Sequence, residues 1–184
     1  MTARGRPRAF NDDDLIRAAL QLGPDRLSLS EVAAALGVPR STVYNRVANP
    51  EELGALVLSS RLESVLGAGW VPPADGDWRD CLSSWVLRLR AAMLEGGAWI
   101  RFLQPARHLN ARALAHAEIV RERLLAEGFS VDQAGLAVGL VVSLYRDSAV
   151  VRAVIVDSAD PGNDEAQFHY NLERALDGIA CTLG

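Results

Sequence analysis

Two groups of polar side chains in this sequence have the residue types and spacing that bind nucleic acid. The first is the run from Arg40 to Arg46, which offers two guanidiniums, two hydroxyls, an amide and a phenol. These groups bind phosphate oxygens and form hydrogen bonds with base edges in the DNA major groove. The second is the basic arm, residues 1–10, in which guanidiniums lie on both sides of Pro7. The arginines of the arm are Arg4, Arg6 and Arg8.

The basic arm is predicted to be extended, because Pro7 has no backbone N–H and prevents a helix there. Its arginine spacing resembles an AT-hook core, and guanidiniums are attracted by the negative potential of a narrow minor groove. Two interpretations are open at this point. The arm reads base edges in the minor groove, or it is a solvated tail that contacts phosphates without choosing a sequence.

Catalytic and metal chemistry have little support in the sequence. His108 and His116 are eight residues apart. That separation is about 12 Å along a helix, so the two cannot share one metal without other ligands. The acidic run Asp12–Asp14 suits the first turn of a helix, and its side chains diverge around the axis. No metalloprotease, serine hydrolase or phosphate-loop motif is present. We therefore expect no enzyme activity, no metal and no cofactor.

The composition is that of a folded protein with an uneven charge distribution. Of the 184 residues 49% are hydrophobic, and the net charge is −4 with 19 basic residues, all of them arginine. Residues 1–50 carry seven arginines and five acids, a net of +2, while the remainder carries twelve arginines and eighteen acids, a net of −6. This asymmetry favours a DNA-binding head on an acidic body.

Cysteine usage and hydropathy predict a soluble, cytoplasmic protein. Cys81 and Cys181 are a hundred residues apart, and free thiols in a reducing compartment are the expectation. The N-terminus does not have the pattern of a signal peptide. The longest uncharged apolar run, residues 133–145, is 13 residues long, shorter than the roughly 20 that cross a bilayer.

The run Arg40–Arg46 is too short and too polar to form a helix without a support. A preceding helix that ends at Gly37 is predicted to support this run. Gly37 has the position of a left-handed C-cap, which marks the end of that helix. Pro39 fits the first turn of the second helix, where its missing N–H costs nothing. Val43 and Val47 are four residues apart and point inward, which leaves the polar side chains outward.

Nine positions of this segment match a known helix-turn-helix pattern in residue type and spacing. They are Val32, Ala33, Ala35, Leu36, Gly37, Val38, Thr42, Val43 and Tyr44. The segment resembles the TetR family of repressors, and Tyr44, Val47 and Asn49 are similar to its tetracycline repressor subgroup. Pro50 departs from the pattern, since the family often has a phosphate-binding Lys there.

The resemblance implies roles for the outward side chains. Thr42 and Tyr44 would hold the DNA backbone, and Arg40, Asn45 and Arg46 would discriminate bases. The operator sequence does not transfer, because Asn45 and Arg46 replace an aromatic residue and a His of the tetracycline repressor. The complete predicted DNA-binding set is Arg4, Arg6, Arg8, Ser28, Arg40, Ser41, Thr42, Tyr44, Asn45 and Arg46.

The whole chain is predicted to be all-α, with about nine helices, because apolar residues recur at helical spacing and no strand alternation is present. The predicted domains are residues 1–50, the arm and helix-turn-helix, and residues 51–184, a helical effector-binding and dimerisation body. The predicted N-caps and first residues are Asn11, Ser28 or Ser30, Pro50, Asp77, Asn110, Ser130 and Asn163.

The last two helices are the predicted dimer interface, since two helices from each subunit close a four-helix bundle. The predicted interface residues are Leu136, Leu140, Leu144, Phe168, Leu172, Leu176 and Ile179. The alternative is that both helices complete the core of the monomer. The resemblance favours a homodimer on double-stranded DNA with a palindromic operator, because dimers present two reading heads one helical turn apart.

Bulky side chains spread over several helices are candidates for a small-molecule pocket. They are Trp85, Met93, Trp99, Phe102, His108, His116 and Tyr145. The alternative for each is ordinary core packing. Arg146 and Asp147 lie within the apolar helix that is predicted to run from Ser130 to about Val156. Three interpretations are open for them: a buried ion pair across the dimer interface, a ligand contact or a solvated turn.

The resemblance implies a dimeric repressor that a small, largely apolar effector releases from DNA. An activator of the same architecture is equally compatible with the sequence. The alternative from another class is a helical small-molecule binding module or an enzyme whose head does not bind DNA. No membrane is expected among its partners.

Overall fold

The computed structural model describes residues 10–67, 69–103, 111–155 and 161–182, without the side chains of 152–155 and 161–163. In these ranges the chain is all-α and has no strand, which confirms the predicted fold class. The α-helices are α1 Asp12–Leu22, α2 Leu29–Leu36, α3 Arg40–Tyr44, α4 Pro50–Leu66, α5 Trp78–Gly96, α6 Ala111–Ala126, α7 Val131–Ile155 and α8 Pro161–Ala180. Two 3₁₀ helices, Pro24–Arg26 and Gly97–Phe102, complete the described elements.

Most of the predicted helix starts are confirmed. Asn11 forms a capping box with Asp14 at the start of α1, and the carboxylate of Asp77 accepts from two backbone amides of α5. Ser130 and Gln133 form the corresponding pair of bonds at α7. The predicted cap Asn163 is wrong, because α8 already begins at Pro161, a residue suited to the first helical turn. Four predicted residues, Arg4, Arg6, Arg8 and His108, lie outside the described residues, as does the predicted cap Asn110.

Two compact units make up the chain. The first unit comprises Met1–Ser60 and Phe102–His108, and the second comprises Arg61–Arg101 and Leu109–Gly184. The division falls inside α4, the helix within which the sequence also placed the boundary between residues 1–50 and 51–184. Each unit has its own buried apolar residues.

The core of the first unit is built by α1 to α4. Its buried side chains include Leu15, Ala19, Leu29, Val32, Val43, Leu53 and Val57. Phe102 belongs to this unit through a close approach to α4: a Cβ added at Gly54 would lie 2.3 Å from Cγ of Phe102. Gly54 is buried, so the ring of Phe102 occupies the space that any larger residue would need.

We expect Gly54→Ala to destabilise the protein by about 1–3 kcal/mol, because the new methyl group overlaps the aromatic ring and the core must shift. Urea unfolding monitored by circular dichroism measures the loss. The cost should shrink in a Phe102→Leu background, since a smaller side chain leaves room for the methyl group. An equal cost in both backgrounds would show that the ring is not the obstacle.

The second unit is held together by one apolar cluster on α4 to α8. Its most buried large residues include Leu82, Trp85, Leu124, Phe168, Leu172 and Leu176. The helices that carry them supply one apolar face each, so the cluster forms where those faces meet.

The predicted dimer stripe of α8 is corrected by this cluster. Phe168, Leu172, Leu176 and Ile179 are all at most 5% exposed within a single chain, so they complete the core of the monomer, which was the alternative interpretation. A helix with one apolar stripe cannot turn it both to its own core and to a partner. Only the α7 residues of the predicted interface are accessible: Leu136 is 74% and Leu140 47% exposed, and Leu144 is half-buried.

Helix α7 is also the one described helix long and apolar enough, by length and composition, to cross a membrane. The segment is Val131–Val151, and 22% of its most apolar window is buried. The uncharged run predicted from the sequence, residues 133–145, lies inside this segment, which is longer because it also includes charged residues such as Arg146. An exposed apolar helix of this kind is equally what a subunit interface requires.

Candidate nucleic-acid interface

The helix-turn-helix is shaped by a left-handed glycine. Gly37 has φ 65° and ψ 30° and ends α2, a conformation that other residues adopt only with strain. The amides of Gly37 and Val38 donate to the carbonyls of Ala34 and Ala33 at 3.1 and 3.0 Å. These bonds satisfy the end of α2 and turn the chain into Pro39, the N-cap residue of α3.

Helix α3 is fixed to the head by two valines. Val43 is 0% and Val47 5% exposed, as their spacing predicts. The residues between and before them are all exposed: Arg40, Ser41, Thr42, Tyr44, Asn45 and Arg46. The predicted polar side chains of this segment are therefore all accessible in the head.

Helix α3 is shorter than the helix from Arg40 to about Val47 that the sequence predicts. It ends at Tyr44 and not near Val47, with Asn45 as its C-cap. The reason is the start of α4 immediately after it: Asn49 Oδ1 accepts from the amide of Glu52 at 2.7 Å, and the carboxylate of Glu52 accepts from the amide of Ala48 at 2.6 Å. Arg46 thus lies in a turn and not on α3.

Ser28 has a structural task in the head. Its hydroxyl oxygen accepts from the amide of Glu31 at 3.2 Å, and its hydroxyl donates to the Glu31 carboxylate at 3.2 Å. Ser28 is therefore the N-cap of α2, one of its two predicted candidates. In the free protein the hydroxyl proton of Ser28 is thus directed at Glu31, and its contact with DNA stays a prediction.

The guanidinium of Arg46 contacts the first residue of α1 and the ring of Phe10, which lies two positions before that helix. Its Nη2 lies 2.7 Å from Oδ1 of Asp12, and its Cζ lies 5.7 Å from the centre of the Phe10 ring. The sequence did not predict this pairing, since the residues are 34 positions apart. In the free protein the guanidinium of Arg46 is thus ion-paired with Asp12. Its predicted contact with bases stays a prediction.

Comparison with known proteins agrees with this geometry. A family model, that of the IclR helix-turn-helix domain, matches residues 18–58. An HTH-type transcriptional regulator of Saccharopolyspora erythraea is 31% identical over 210 residues, covering 95% of this chain and 86% of that protein. The chain belongs to the helix-turn-helix transcriptional regulators. Another such regulator, from Mycobacterium bovis, is 28% identical over 196 residues and covers 98% of this chain and 100% of that protein.

Solved structures show the fold of the regulator. A TetR variant from Acinetobacter baumannii AYE in complex with minocycline has a TM-score of 0.80 at 23% identity, covering 96% of this chain and 99% of that chain. ActR of Streptomyces coelicolor in complex with actinorhodin has a TM-score of 0.74 at 18% identity, covering 96% and 98%. The predicted TetR-like fold is confirmed.

The pocket candidates of the regulator lie mostly in the core of the second unit. Trp85, Met93, Trp99 and His116 are buried, and Tyr145 is half-buried. Phe102 belongs to the first unit. Burial raises the pKa of Tyr145, and the positive charge of Arg146 opposes that shift.

Two of these buried residues carry polar atoms that the described part of the chain leaves without a hydrogen-bond partner. They are Nε1 of Trp85 and Nδ1 of His116. The His116 ring packs edge-on against Trp70, with centroids 5.2 Å apart. Burial lowers the pKa of His116 and the charge of Arg112 lowers it further, while a hydrogen bond to the Trp70 backbone and the charge of Glu63 oppose the shift. Burial and the charge of Arg112 thus both disfavour a charged imidazole at His116.

The regulator also has a buried arginine that the sequence pattern did not predict. Arg90 is 3% exposed and binds Oδ2 of Asp164 at 2.5 Å and Oε2 of Glu165 at 3.0 Å. Its Cζ lies 4.4 Å from the centre of the Phe168 ring, and its Nε donates to Ser148 Oγ at 3.3 Å. Its burial could have been inferred from its position: Arg90 lies four residues after Val86, on the apolar face of α5.

The charged residues Arg146 and Asp147 form an ion pair at the surface of the single chain. The Nε of Arg146 lies 3.6 Å from Oδ1 of Asp147, and the two side chains are 34% and 72% exposed. Within the single chain the pair is thus solvated. Whether it contacts a partner subunit or a ligand stays a prediction.

Proposed function

We propose that the regulator is a dimeric transcriptional repressor that binds a palindromic operator and is released by a small, largely apolar effector. It would act in the cytoplasm, with no membrane, metal or cofactor, and without enzyme activity. The observation that carries the proposal is the head surface: exposed polar residues from Arg40 to Asn45, supported by the buried Val43 and Val47. A short helix presented in this way suits a major groove.

The exposed face of α7 supports the dimer. Leu136 and Leu140 stand on that face beside Gly135 and Gly139, where an added Cβ would meet nothing within 4 Å. A groove of about 140 Å³ runs between α7 and α8, and its lining residues include Leu136, Ala137, Leu140, Gly178 and Ile179. Small residues beside leucines let a second helix approach closely, and the same surface on a second copy would fill the groove.

The effector is supported by the neighbours and by the core of the second unit. The TetR and ActR structures hold minocycline and actinorhodin. In this chain the indole N–H of Trp85 is a buried donor and Nδ1 of His116 a second buried polar atom, neither with a partner among the described residues. Buried polar groups are normally hydrogen-bonded, so each of these two atoms is a candidate contact for an effector.

Selection of bound fragments from the encoding genome, followed by anisotropy titration at several salt concentrations, tests DNA binding. We expect Arg40→Gln to weaken the selected operator by about 1–3 kcal/mol if the side chain reads a base, with a smaller loss on unrelated duplex. The matched control is Arg17→Gln, which removes the same charge from an exposed residue of the same head.

Equal losses for the Arg40 and Arg17 variants would contradict a reading role for α3. Failure of the wild-type chain to bind any duplex in dilute buffer would favour the other class of function, a helical binding module whose head does not bind DNA. The overall charge of −4 is the observation that keeps this second candidate in view.

A further inference from the structure

We propose that the effector of the second unit is a carboxylate with one negative charge on an apolar body, and that Trp85 and Arg88 of α5 bind its carboxylate group. The inference rests on the proposed function, because it names the chemical class of the effector. It starts from hydrogen-bond donors that this unit buries without acceptors.

Two side chains of α5 each bury an N–H group that has no acceptor among the described residues. The two nitrogens are Nε1 of Trp85 and Nε of Arg88. Trp85 is 1% exposed and Arg88 is half-buried. Residues three apart on a helix are neighbours on its surface, so the two donors start about one turn apart. A buried donor without an acceptor costs free energy, and one acceptor group shared by both would remove that cost.

The guanidinium of Arg88 also has no carboxylate partner in the described part of the chain. Its Nη2 donates to the backbone carbonyl of Val65 at 2.5 Å, and its Cζ lies 5.8 Å from the centre of the Trp70 ring. Arg90, two residues further along the same helix, contacts two carboxylates. A carboxylate accepts hydrogen bonds at both oxygens and donates none, and its bonds to a guanidinium are among the strongest in proteins. A ligand carboxylate would thus satisfy Arg88 and Trp85 together.

Charge and apolar surroundings define the rest of the ligand class. One guanidinium balances one negative charge, whereas a phosphate dianion would bring a second charge into residues 51–184, which already carry eighteen acids against twelve arginines. Trp70 packs against the apolar cluster of the second unit and lies edge-on to His116 at 5.2 Å. Such surroundings favour an apolar body on the ligand.

Isothermal titration calorimetry of the full chain with matched probes tests this class. The probes are naphthoate and decanoate, which have a flat and a linear apolar body, the neutral amide of each, and naphthyl phosphate. We expect at least one carboxylate to bind about tenfold or more tightly than its own amide, because only the carboxylate forms charge-assisted hydrogen bonds. Naphthyl phosphate should bind more weakly than naphthoate.

Three variants locate the site. Arg88→Met should weaken carboxylate binding by about tenfold or more and change amide binding by at most about twofold. Trp85→Phe keeps an aromatic ring and removes the N–H, so we expect a loss of about threefold to tenfold. Arg61→Met is the matched control. Its Nε is also buried without a partner, and its Nη2 donates to the carbonyl of Glu95, which lies seven residues after Arg88, about 10 Å along α5. This control should bind the carboxylate like the wild type.

Equal affinity for carboxylate and amide would overturn the inference, as would equal losses for the Arg88 and Arg61 variants or no binding of either carboxylate. The wild-type comparison needs no variant, so it decides the class even if a substitution damages the fold, which thermal unfolding detects. Release of the operator by a neutral amide alone would overturn the inference and support the proposed function. A carboxylate that binds through Arg88 and leaves the operator complex intact would support the site and overturn its role in release.

Discussion

Replacing Leu136 or Leu140 with Arg is expected to convert the proposed dimer to monomers. An unpaired guanidinium buried at the centre of an apolar interface costs several kcal/mol, which raises the dimer dissociation constant by about 100-fold or more. Operator affinity should fall by a similar factor of about 100, because the two heads no longer bind as one unit. Sedimentation equilibrium and anisotropy titration measure the two effects.

Leu114→Arg is the matched control. Leu114 is 47% exposed, as is Leu140, and it lies on α6 instead of α7. We expect this variant to dimerise and to bind the operator like the wild type. If Leu114→Arg dissociates the protein and the α7 variants do not, the interface has been assigned to the wrong helix.

Removal of the buried Arg90 charge is expected to cause the largest loss of folding stability. Breaking a buried ion pair costs about 3–5 kcal/mol when both partners are buried. Here Asp164 is 23% and Glu165 54% exposed, so we expect about 2–3 kcal/mol for Arg90→Met. This corresponds to a fall in Tm of about 4–12 °C at fixed protein concentration.

Two further variants identify the cause of that loss. Arg79→Met removes an arginine from the same helix whose partner, Asp177, lies 3.2 Å away in a more exposed pair. It should cost less than about 1 kcal/mol. Adding Asp164→Asn and Glu165→Gln to Arg90→Met should recover stability if the cost comes from the lost ion pairs with Arg90. No recovery would assign it to lost packing on Phe168.

The head was predictable because its signals are local. Gly37 and the Val43–Val47 pair each determine their own turn or face within a few residues, and the structure shows them as expected. Pro39 marks the start of α3 as predicted, but as its N-cap and not in its first turn. The end of α3 was not predictable in the same way, because Asn49 competes for the chain by capping α4. The pattern that continues α3 to Val47 overlaps with the N-terminal cap of α4, and the cap of α4 determines the structure.

Side-chain partners distant in sequence could not be inferred. Arg46 with Asp12 and Arg90 with Asp164 depend on how helices pack, and a sequence pattern records only which face is apolar. The same limit explains the α8 stripe from Phe168 to Ile179. Its spacing showed that the face is buried, and only the fold shows that the burial occurs within one chain.

The low burial of α7 has a consequence for the physiology of the protein. If that helix is covered only by a second copy, a newly synthesised monomer exposes an apolar surface that is prone to aggregation. The lifetime of the monomer then depends on how soon it binds a second copy. Gene silencing would then set in steeply above a threshold number of molecules per cell, since pairing varies with the square of their abundance. Dilution by growth would relieve it with no inducer present.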